Sequence, residues 1–209
     1  MESHRPAPGE ELHAGAPSEP RQAASVIVLR GGATALEVLL LRRNPAARFM
    51  PGAWVFPGGA VDAHEGAGDL AHRAAAVREV EEEAGLTLPD PAALIKFSRW
   101  ITPPQIAIRF DTHFFLAHAP PGQEARPDGA EMVDLGWHTP QGALDTYGCG
   151  QLELVFPTIK HLEQLAGFTT ADELIAWATG REVVAVEPRV RFTGETARVV
   201  LPGEPGYED

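Results

Sequence analysis

Residues 78–86 read Arg-Glu-Val-Glu-Glu-Glu-Ala-Gly-Leu, and this stretch says more about the fold than any other. At about 100° per residue along a helix, Glu79, Glu82 and Glu83 share one face, whereas Glu81 is rotated about 200° from Glu79 and points away. Crowded carboxylates repel one another unless a cation joins them. Hard oxygen ligands of this kind suit Mg²⁺ or Mn²⁺. The stretch therefore predicts a helix that carries a divalent-metal site.

The predicted helix extends from Asp69, a favoured N-cap type, to Ala84, and Gly85 follows its end. Its other face is apolar and is expected to pack on the core; it consists of Leu70, Ala74, Val77, Val80 and Ala84. Shortly before the helix, Gly58 and Gly59 allow the backbone to approach a phosphate or to offer a carbonyl to a metal. An isolated acidic run is usually a solvated helix face. The glycines before and after the run favour a functional site instead.

Strand and helix signals interleave along the rest of the chain, which predicts an α/β domain with a mixed sheet. We expect a leader over residues 1–22, which is rich in Pro and charge and predicted to be disordered, one domain over 23–201 and a tail over 202–209. The expected strands cover 24–29 and 36–41, joined as a hairpin at Gly31-Gly32, then 54–56, 94–101, 106–117, 132–137, 183–186 and 197–201. Further helices are expected at 158–166 and 171–178.

Composition excludes several classes of protein. The net charge of −12 argues against general nucleic-acid binding, because phosphate backbones would be repelled. No apolar run approaches the roughly 20 residues of a membrane span, and the leader lacks the apolar centre of a signal peptide. Cys149 is the single cysteine, so no internal disulfide can form. These features predict a cytoplasmic protein that neither enters a membrane nor binds nucleic acid.

The glutamate-rich stretch resembles the Nudix box, G-x5-E-x7-R-E-U-x-E-E-x-G-U, in which U is aliphatic. Residues 78–86 match the second half at every fixed position, and Gly59 with Glu65 matches the first half. The spacer differs, since twelve residues rather than seven separate Glu65 from Arg78. We interpret the difference as a five-residue insertion around 66–69, which leaves the role of Glu65 open.

The resemblance implies a Nudix α/β/α sandwich with a mixed β-sheet, and a hydrolase that cleaves a nucleoside diphosphate linked to another group. By the family pattern, Glu79, Glu82 and Glu83 ligate Mg²⁺ or Mn²⁺, with the Gly58 carbonyl as a further ligand. Arg78 orients the carboxylates. Many members of the family are homodimers, which makes a homodimer an expectation here.

A further carboxylate from a later loop often completes such sites. Glu131 is the candidate, because it lies six residues before Trp137, in a strand-entry position that resembles the family pattern, and Glu124 is its competitor. A divalent cation lowers the pKa of a water that attacks phosphorus. Glu82, Glu83 or Glu131 could accept the proton from that water, and the sequence leaves the choice open.

A second pattern lies upstream of the glycines and is similar to the coenzyme A diphosphatase signature L-L-T-x-R-[SA]-x3-R-x3-G-x3-F-P-G-G. The segment 39–59 keeps every spacing, with Leu41 in place of Thr and Asn44 in place of Ser or Ala. Residues 99–104 and 109–115 resemble the branch that contains the animal peroxisomal CoA diphosphatases.

The two patterns together predict a small-molecule diphosphate substrate, foremost CoA or acyl-CoA. Arg42, Arg43 and Arg48 are candidates to bind the 3′-phosphate of CoA, because guanidinium groups form forked hydrogen bonds to phosphate. Two alternatives stay open. One is the same chemistry on ADP-ribose, a nucleotide sugar or a dinucleotide, and the other is a non-catalytic Nudix-fold nucleotide-binding module.

Overall fold

The predicted hairpin around Gly31-Gly32 forms, and its two strands then diverge. The computed structural model describes residues 15–33, 35–193 and 196–208. The first strand begins at Arg21, two residues before the expected start of the domain, while residues 1–14 of the expected leader lie outside the described ranges.

Ten strands and four α-helices make up the described part of the chain. In chain order they are β1 (Arg21–Arg30), β2 (Glu37–Arg43), β3 (Trp54–Val55), β4 (Gly58–Ala60), α1 (Gly68–Ala84), β5 (Ile95–Ile101), β6 (Phe110–His118), β7 (Met132–His138), α2 (Pro140–Gly148), α3 (Phe156–Leu165), α4 (Ala171–Ala178), β8 (Ala185–Val186), β9 (Arg189–Thr193) and β10 (Thr196–Val200). Short 3-10 turns lie at Ala63–Glu65 and Pro91–Ala93.

Strands β1 and β2 pair over two positions at the hairpin end, Leu29 with Val38 and Arg30 with Glu37. Beyond these pairs, β1 runs antiparallel to β4 and parallel to β6, whereas β2 runs antiparallel to β3 and β7. Strands β5 and β8 extend the sheet beyond β6, and β9 and β10 form a separate two-stranded sheet. The divergence of β1 and β2 leaves room beside the first half of β1. Strand β4 pairs there with β1 and contacts α1.

Both faces of the large sheet are buried, because side chains alternate along each strand. Val26, Val28, Leu39 and Leu41 pack beneath α1 together with Phe115. On the opposite face the core is built from α2, α3 and α4 against the sheet, and its fully buried members include Ile27, Leu29, Leu40, Leu116, Leu162 and Leu174. Helices therefore cover a mixed sheet on both sides, which confirms the predicted α/β/α sandwich.

Helix α1 differs from the sequence expectation at its start. It begins at Gly68 with Ala67 as its N-cap, so Asp69 lies inside the first turn and forms ion pairs with Arg73 and Lys96. Leu70 was expected to face the core, but it is 79% exposed. The residues that do pack on the sheet are Ala71, Ala75, Ala76, Val80 and Ala84. Leu70 is wrongly placed by the prediction because it lies about 100° around the helix from this row.

Other segments also differ, and strands β4 and β9 were not predicted. Strand β6 begins at Phe110 rather than at 106, since the Arg109 side chain turns to donate hydrogen bonds to the carbonyl oxygens of Thr102 and Ser18. Helix α2 was not predicted, although Thr139 accepts a hydrogen bond from the Gly142 N–H and Pro140 occupies the first turn, which is a recognisable helix start. Among the described residues, no helix combines the length and the apolar character needed to cross a bilayer.

The end of α1 gives a stability prediction. Gly85 has φ 64° and ψ 22°, a left-handed conformation, and a Cβ added there would meet neighbouring atoms at ordinary contact distance. Gly85→Ala should therefore lower the free energy of unfolding by about 1–2 kcal/mol through backbone strain alone. Gly85→Asn should cost less, because Asn tolerates this region. Urea unfolding of the three proteins checks this order, and equal losses for Ala and Asn would contradict it.

Candidate active site

The acidic face of α1, which carries Glu79, Glu82 and Glu83, lies against two glycines that leave no room for a side chain. A Cβ built on Gly59 would come within 2.3 Å of the Glu79 Oε1 atom, so β4 approaches the helix as closely as a bare backbone allows. The N–H of Gly58 donates a hydrogen bond of 2.8 Å to Oε2 of Glu83. Gly58 also faces β1, where a Cβ would lie 2.5 Å from the Ala24 carbonyl oxygen. The Pro57–Gly59 backbone is thus fixed between α1 and β1.

Arg78 connects the carboxylates on this face. Its Nη1 donates to Glu79 at 2.7 Å and to Glu82 at 3.0 Å, and its Nη2 donates to the Ala60 carbonyl oxygen at 3.0 Å. Its Nε donates to Oε1 of Glu65 at 3.0 Å, and this bond contributes most to a raised Arg78 pKa. The guanidinium group therefore contacts both Glu79 and Glu82, and the orienting role that the resemblance implied for Arg78 stays a prediction.

Glu65 reaches Arg78 despite the longer spacer. The 3-10 turn at Ala63–Glu65 holds it, since the Glu65 carboxylate also accepts a hydrogen bond of 2.7 Å from the Asp62 N–H. Burial alone would raise the pKa of Glu65, but the bonds from Arg78 and Asp62 outweigh it and lower the pKa. The inserted residues lie beyond this turn, so the contact that the sequence left open is present.

Glu83 is the most buried of the acidic residues, with 4% of its surface exposed. Burial, opposed in part by the Gly58 hydrogen bond and reinforced by the charges of Glu79 and Glu131, raises the pKa of Glu83 to about 8. Burial likewise raises the pKa of Glu79, with a smaller contribution from Glu82 and Glu131. Glu82 is largely exposed, and so is Glu81, which the sequence excluded from the cluster.

Glu131 lies close enough for its charge to act on Glu79 and Glu83. Its Oε1 accepts a hydrogen bond of 2.8 Å from Nη2 of Arg43 at the end of β2. Glu124, its competitor in the sequence, is exposed and pairs with the equally exposed Arg126. The structure thus brings Glu131, not Glu124, to the acidic face of α1.

Two residues that the sequence did not assign to the site, Asn44 and Asp128, hold the Glu131 loop. Asn44 donates from its N–H to the Glu131 carbonyl oxygen and from Nδ2 to the Ala130 carbonyl oxygen, both at 2.8 Å. Asp128 accepts from the N–H groups of Glu131 and Met132 at 2.9 and 2.7 Å. The departure of Asn44 from the CoA signature was the available signal. Ser and Ala lack a side-chain amide that could donate a hydrogen bond to the Ala130 carbonyl oxygen.

The three arginines predicted for substrate do not gather at one place. Arg43 faces α1, and its Nε donates to the Phe49 carbonyl oxygen at 3.1 Å. Arg42 is one residue earlier and points to the opposite face of the sheet, where its partners across the strands are Trp54 and Asp134. Arg48 is exposed in the loop between β2 and β3, and its side chain forms no hydrogen bond or ion pair with the described residues.

The donor set fits a divalent cation in its chemistry. Glu79, Glu82, Glu83 and Glu131 offer hard oxygen atoms. Burial, with a smaller contribution from the charges of Glu79 and Glu131, raises the pKa of Glu83. Within the described residues, no three acidic, His or Cys groups are arranged as a ready-made metal site. Arg78 instead bonds to Glu79 and Glu82, so a bound cation would have to share these two carboxylates with the guanidinium group.

Comparison with known proteins identifies the family to which this chain is similar. The family model described as the NUDIX domain matches residues 19–156. Human acyl-coenzyme A diphosphatase NUDT19 is 25% identical over an alignment that covers 91% of this chain and 81% of that protein. Putative nudix hydrolase 7 of Caenorhabditis elegans is 27% identical, with 90% of this chain and 75% of that protein covered.

Solved structures agree with the sequence relatives. The crystal structure of a NUDIX hydrolase from Alicyclobacillus acidocaldarius superposes with a TM-score of 0.68 at 28% identity, covering 76% of this chain and 96% of that one. A MutT NUDIX hydrolase from Burkholderia pseudomallei gives a TM-score of 0.53 at 25% identity, covering 70% and 98%. The resemblance seen in the sequence is thereby confirmed, and the chain belongs to the NUDIX domain family.

Proposed function

We propose that this Nudix hydrolase cleaves the diphosphate of CoA or acyl-CoA with the help of Mg²⁺ or Mn²⁺. The observation that carries the proposal is the acidic face of α1 against Gly58 and Gly59, with the segment that resembles the CoA signature beside it. The named diphosphatase relative, similar along 91% of this chain, supports the choice of substrate.

Each residue of the site has a proposed part in the reaction. Glu79, Glu82 and Glu83 would hold the cation together with Glu131 and the Gly58 carbonyl oxygen. A divalent cation bound there lowers the pKa of a water and neutralises diphosphate oxygens. Arg78 keeps Glu79 and Glu82 in place through its two Nη1 hydrogen bonds.

The proton of the attacking water needs an acceptor from this chain. Glu82 and Glu131 are more than half exposed and lie at the open side of the cluster, whereas Glu83 is buried and bonded to Gly58. Glu83 is less suited, because it is buried and already accepts a hydrogen bond from the Gly58 N–H. Glu82 and Glu131 are therefore the favoured general bases.

ADP-ribose, a nucleotide sugar or a dinucleotide are the alternative substrates of the same chemistry. A screen of these compounds beside CoA, acetyl-CoA and 3′-dephospho-CoA, with Mg²⁺ or Mn²⁺ and product identification, separates them. We expect the highest kcat/KM for CoA or acetyl-CoA, products that are a phosphopantetheine and adenosine 3′,5′-bisphosphate, and loss of turnover in EDTA. A tenfold preference for another diphosphate would overturn the substrate, and full activity in EDTA would overturn the metal requirement.

A matched pair of variants tests the catalytic face within that screen. Glu82→Gln should lower kcat by at least about 10²-fold, as expected for loss of a general base or a metal ligand, and leave CoA binding measurable by calorimetry. Glu81→Gln removes the same charge one residue away, on the exposed side, and should keep kcat within about twofold of the original protein. Equal behaviour of the two variants would count against the assignment of Glu82, whereas no turnover of any diphosphate by the original protein would favour a binding module.

The exposed arginine in the β2–β3 loop tests recognition of the 3′-phosphate. Arg48→Ala should lower kcat/KM for CoA about tenfold or more, the effect of losing a hydrogen bond to a charged group, and should spare 3′-dephospho-CoA. Arg42→Ala is the control, because Arg42 lies on the opposite face of the sheet. The assignment fails if Arg48→Ala affects both substrates alike.

The buried carboxyl of Glu83 predicts how stability depends on pH. Its pKa is raised from 4.5 to about 8 on folding, so the unfolded chain ionises first as the pH rises. In EDTA, the free energy of unfolding should therefore fall between about pH 4.5 and pH 8 and level off above. Glu83→Gln keeps an acceptor for the Gly58 N–H but cannot ionise.

At pH 8.5 in EDTA the Glu83→Gln variant should be more stable than the original protein by at least about 1 kcal/mol, and at pH 4.5 the difference should vanish. Urea denaturation at both pH values measures the two quantities. Identical pH profiles for the two proteins would mean that Glu83 ionises normally in the folded state.

A further inference from the structure

The loop that follows β2 and the loop that precedes β7 are joined by one residue, Asn44. Its N–H donates to the Glu131 carbonyl oxygen, and its Nδ2 donates to the Ala130 carbonyl oxygen, both at 2.8 Å. These two carbonyl groups lie immediately before and after the Cα atom of Glu131. Asn44 therefore fixes the backbone on both sides of the one acidic residue of the site that does not belong to α1.

Asn44 also shapes the start of the loop that carries Arg48. Its Oδ1 accepts a hydrogen bond of 2.9 Å from the Ala46 N–H, and its carbonyl oxygen accepts one of 2.9 Å from the Ala47 N–H. Asn commonly closes a tight turn through such a bond to the backbone two residues on. The two ends of the side-chain amide thus have different tasks, since Oδ1 serves the turn and Nδ2 serves the Glu131 loop.

A β-bulge lies beside this junction. Strands β2 and β7 shift register between Arg42 and Arg43, which leaves Val133 as an extra residue on β7. A bulge of this kind re-aims the side chains next to it. The N–H of Asn44 resumes the pairing on the far side, at Glu131. The direction of the Glu131 side chain therefore depends on how the chain is held at this point.

Arg43 fixes the carboxylate of Glu131. Its Nη2 donates to Oε1 of Glu131 at 2.8 Å, and the Arg43 side chain is 16% exposed, compared with 55% for Glu131. The Glu131 charge acts on Glu79 and on Glu83, where it adds to the larger effect of burial in raising each pKa. A half-exposed glutamate would otherwise sample several rotamers. The fixed backbone and the ion pair together hold this carboxylate at the acidic face of α1.

From these contacts we propose that Asn44 is a positioning residue, which sets Glu131 at the acidic face for its part in hydrolysis. The inference rests on the proposed function, in which Glu131 binds the cation or accepts the proton of the attacking water. Asn44 acts through the backbone of the Glu131 loop, because its amide is already bonded at both ends. The residue that departs from the CoA signature is then a functional part of this site.

Asn44→Ser separates the two tasks of the side chain. The hydroxyl group can still accept from the Ala46 N–H, but it has no amide to donate to Ala130. No charge is altered, so the attraction of a cation changes only through Glu131. We expect kcat for the diphosphate that the screen identifies to fall about tenfold or more, with KM within about twofold. The Kd of Mn²⁺, measured by EPR without substrate, should rise about threefold or more.

Gln123→Ser is the matched control. Gln123 is exposed, and its amide also bridges two segments, because it donates to the Thr87 carbonyl oxygen and accepts from the Thr87 N–H. The variant loses a side-chain amide of the same kind and should keep kcat and the Kd of Mn²⁺ within about twofold. Unfolding curves establish that both variants are folded. Equal losses in the two variants would mean that any loosened loop has this effect, and would overturn the inference.

Glu131→Gln distinguishes failure of the inference from failure of the proposed function. In the Glu131→Gln background, Asn44→Ser should lower kcat by less than about twofold, because no carboxylate remains to be positioned. Full additivity of the two losses would overturn the inference. Losses of kcat and Mn²⁺ affinity in Glu131→Gln but not in Asn44→Ser would also overturn it, and would leave the proposed function intact. Unchanged kcat and Mn²⁺ affinity in Glu131→Gln would remove Glu131 from the proposed function, and the inference with it.

Discussion

The close approach of β4 to α1 is the constraint on which the rest of the site depends. At Gly59 any side chain would overlap the carboxylate of Glu79, and at Gly58 it would overlap β1. Without side chains, the strand can place its N–H on Glu83 and its Ala60 carbonyl on Arg78. The glycines therefore set the separation between backbone and carboxylates. Because β1 and β2 have already diverged at this level, β4 can occupy the space between them.

The close packing of β4 on α1 also makes it energetically unfavourable to ionise all of the carboxyl groups in the site. Glu83 is buried beside Glu79 and Glu131, and the single N–H of Gly58 does not compensate its charge, so its pKa rises. Arg78 offsets part of the repulsion by bonding to Glu65, Glu79 and Glu82 together. A site of this kind lowers the stability of the folded chain at neutral pH and gains from any divalent cation that binds it.

The sequence predicted the acidic face well because one helix carries it. Within a single helix, geometry fixes which glutamates share a face. The part of Arg78 was implied by the family resemblance rather than by spacing. Contacts between distant segments were harder to foresee. The face presented by Arg42 depends on the register of β2, and the roles of Asn44 and Asp128 depend on how the loop before β7 returns to the end of β2.

The start of α1 shows the limit of local patterns. Asp69 and Leu70 have the character of an N-cap and a core residue, yet ion pairs with Arg73 and Lys96 hold Asp69 within the first turn and leave Leu70 in solvent. The insertion is tolerated because both of its ends are fixed, by the Glu65 turn on one side and by α1 on the other. Lengthening a loop between fixed ends costs little conformational entropy. The motif can thus keep its Glu65–Arg78 contact while the added residues lie between the 3-10 turn and the first turn of α1.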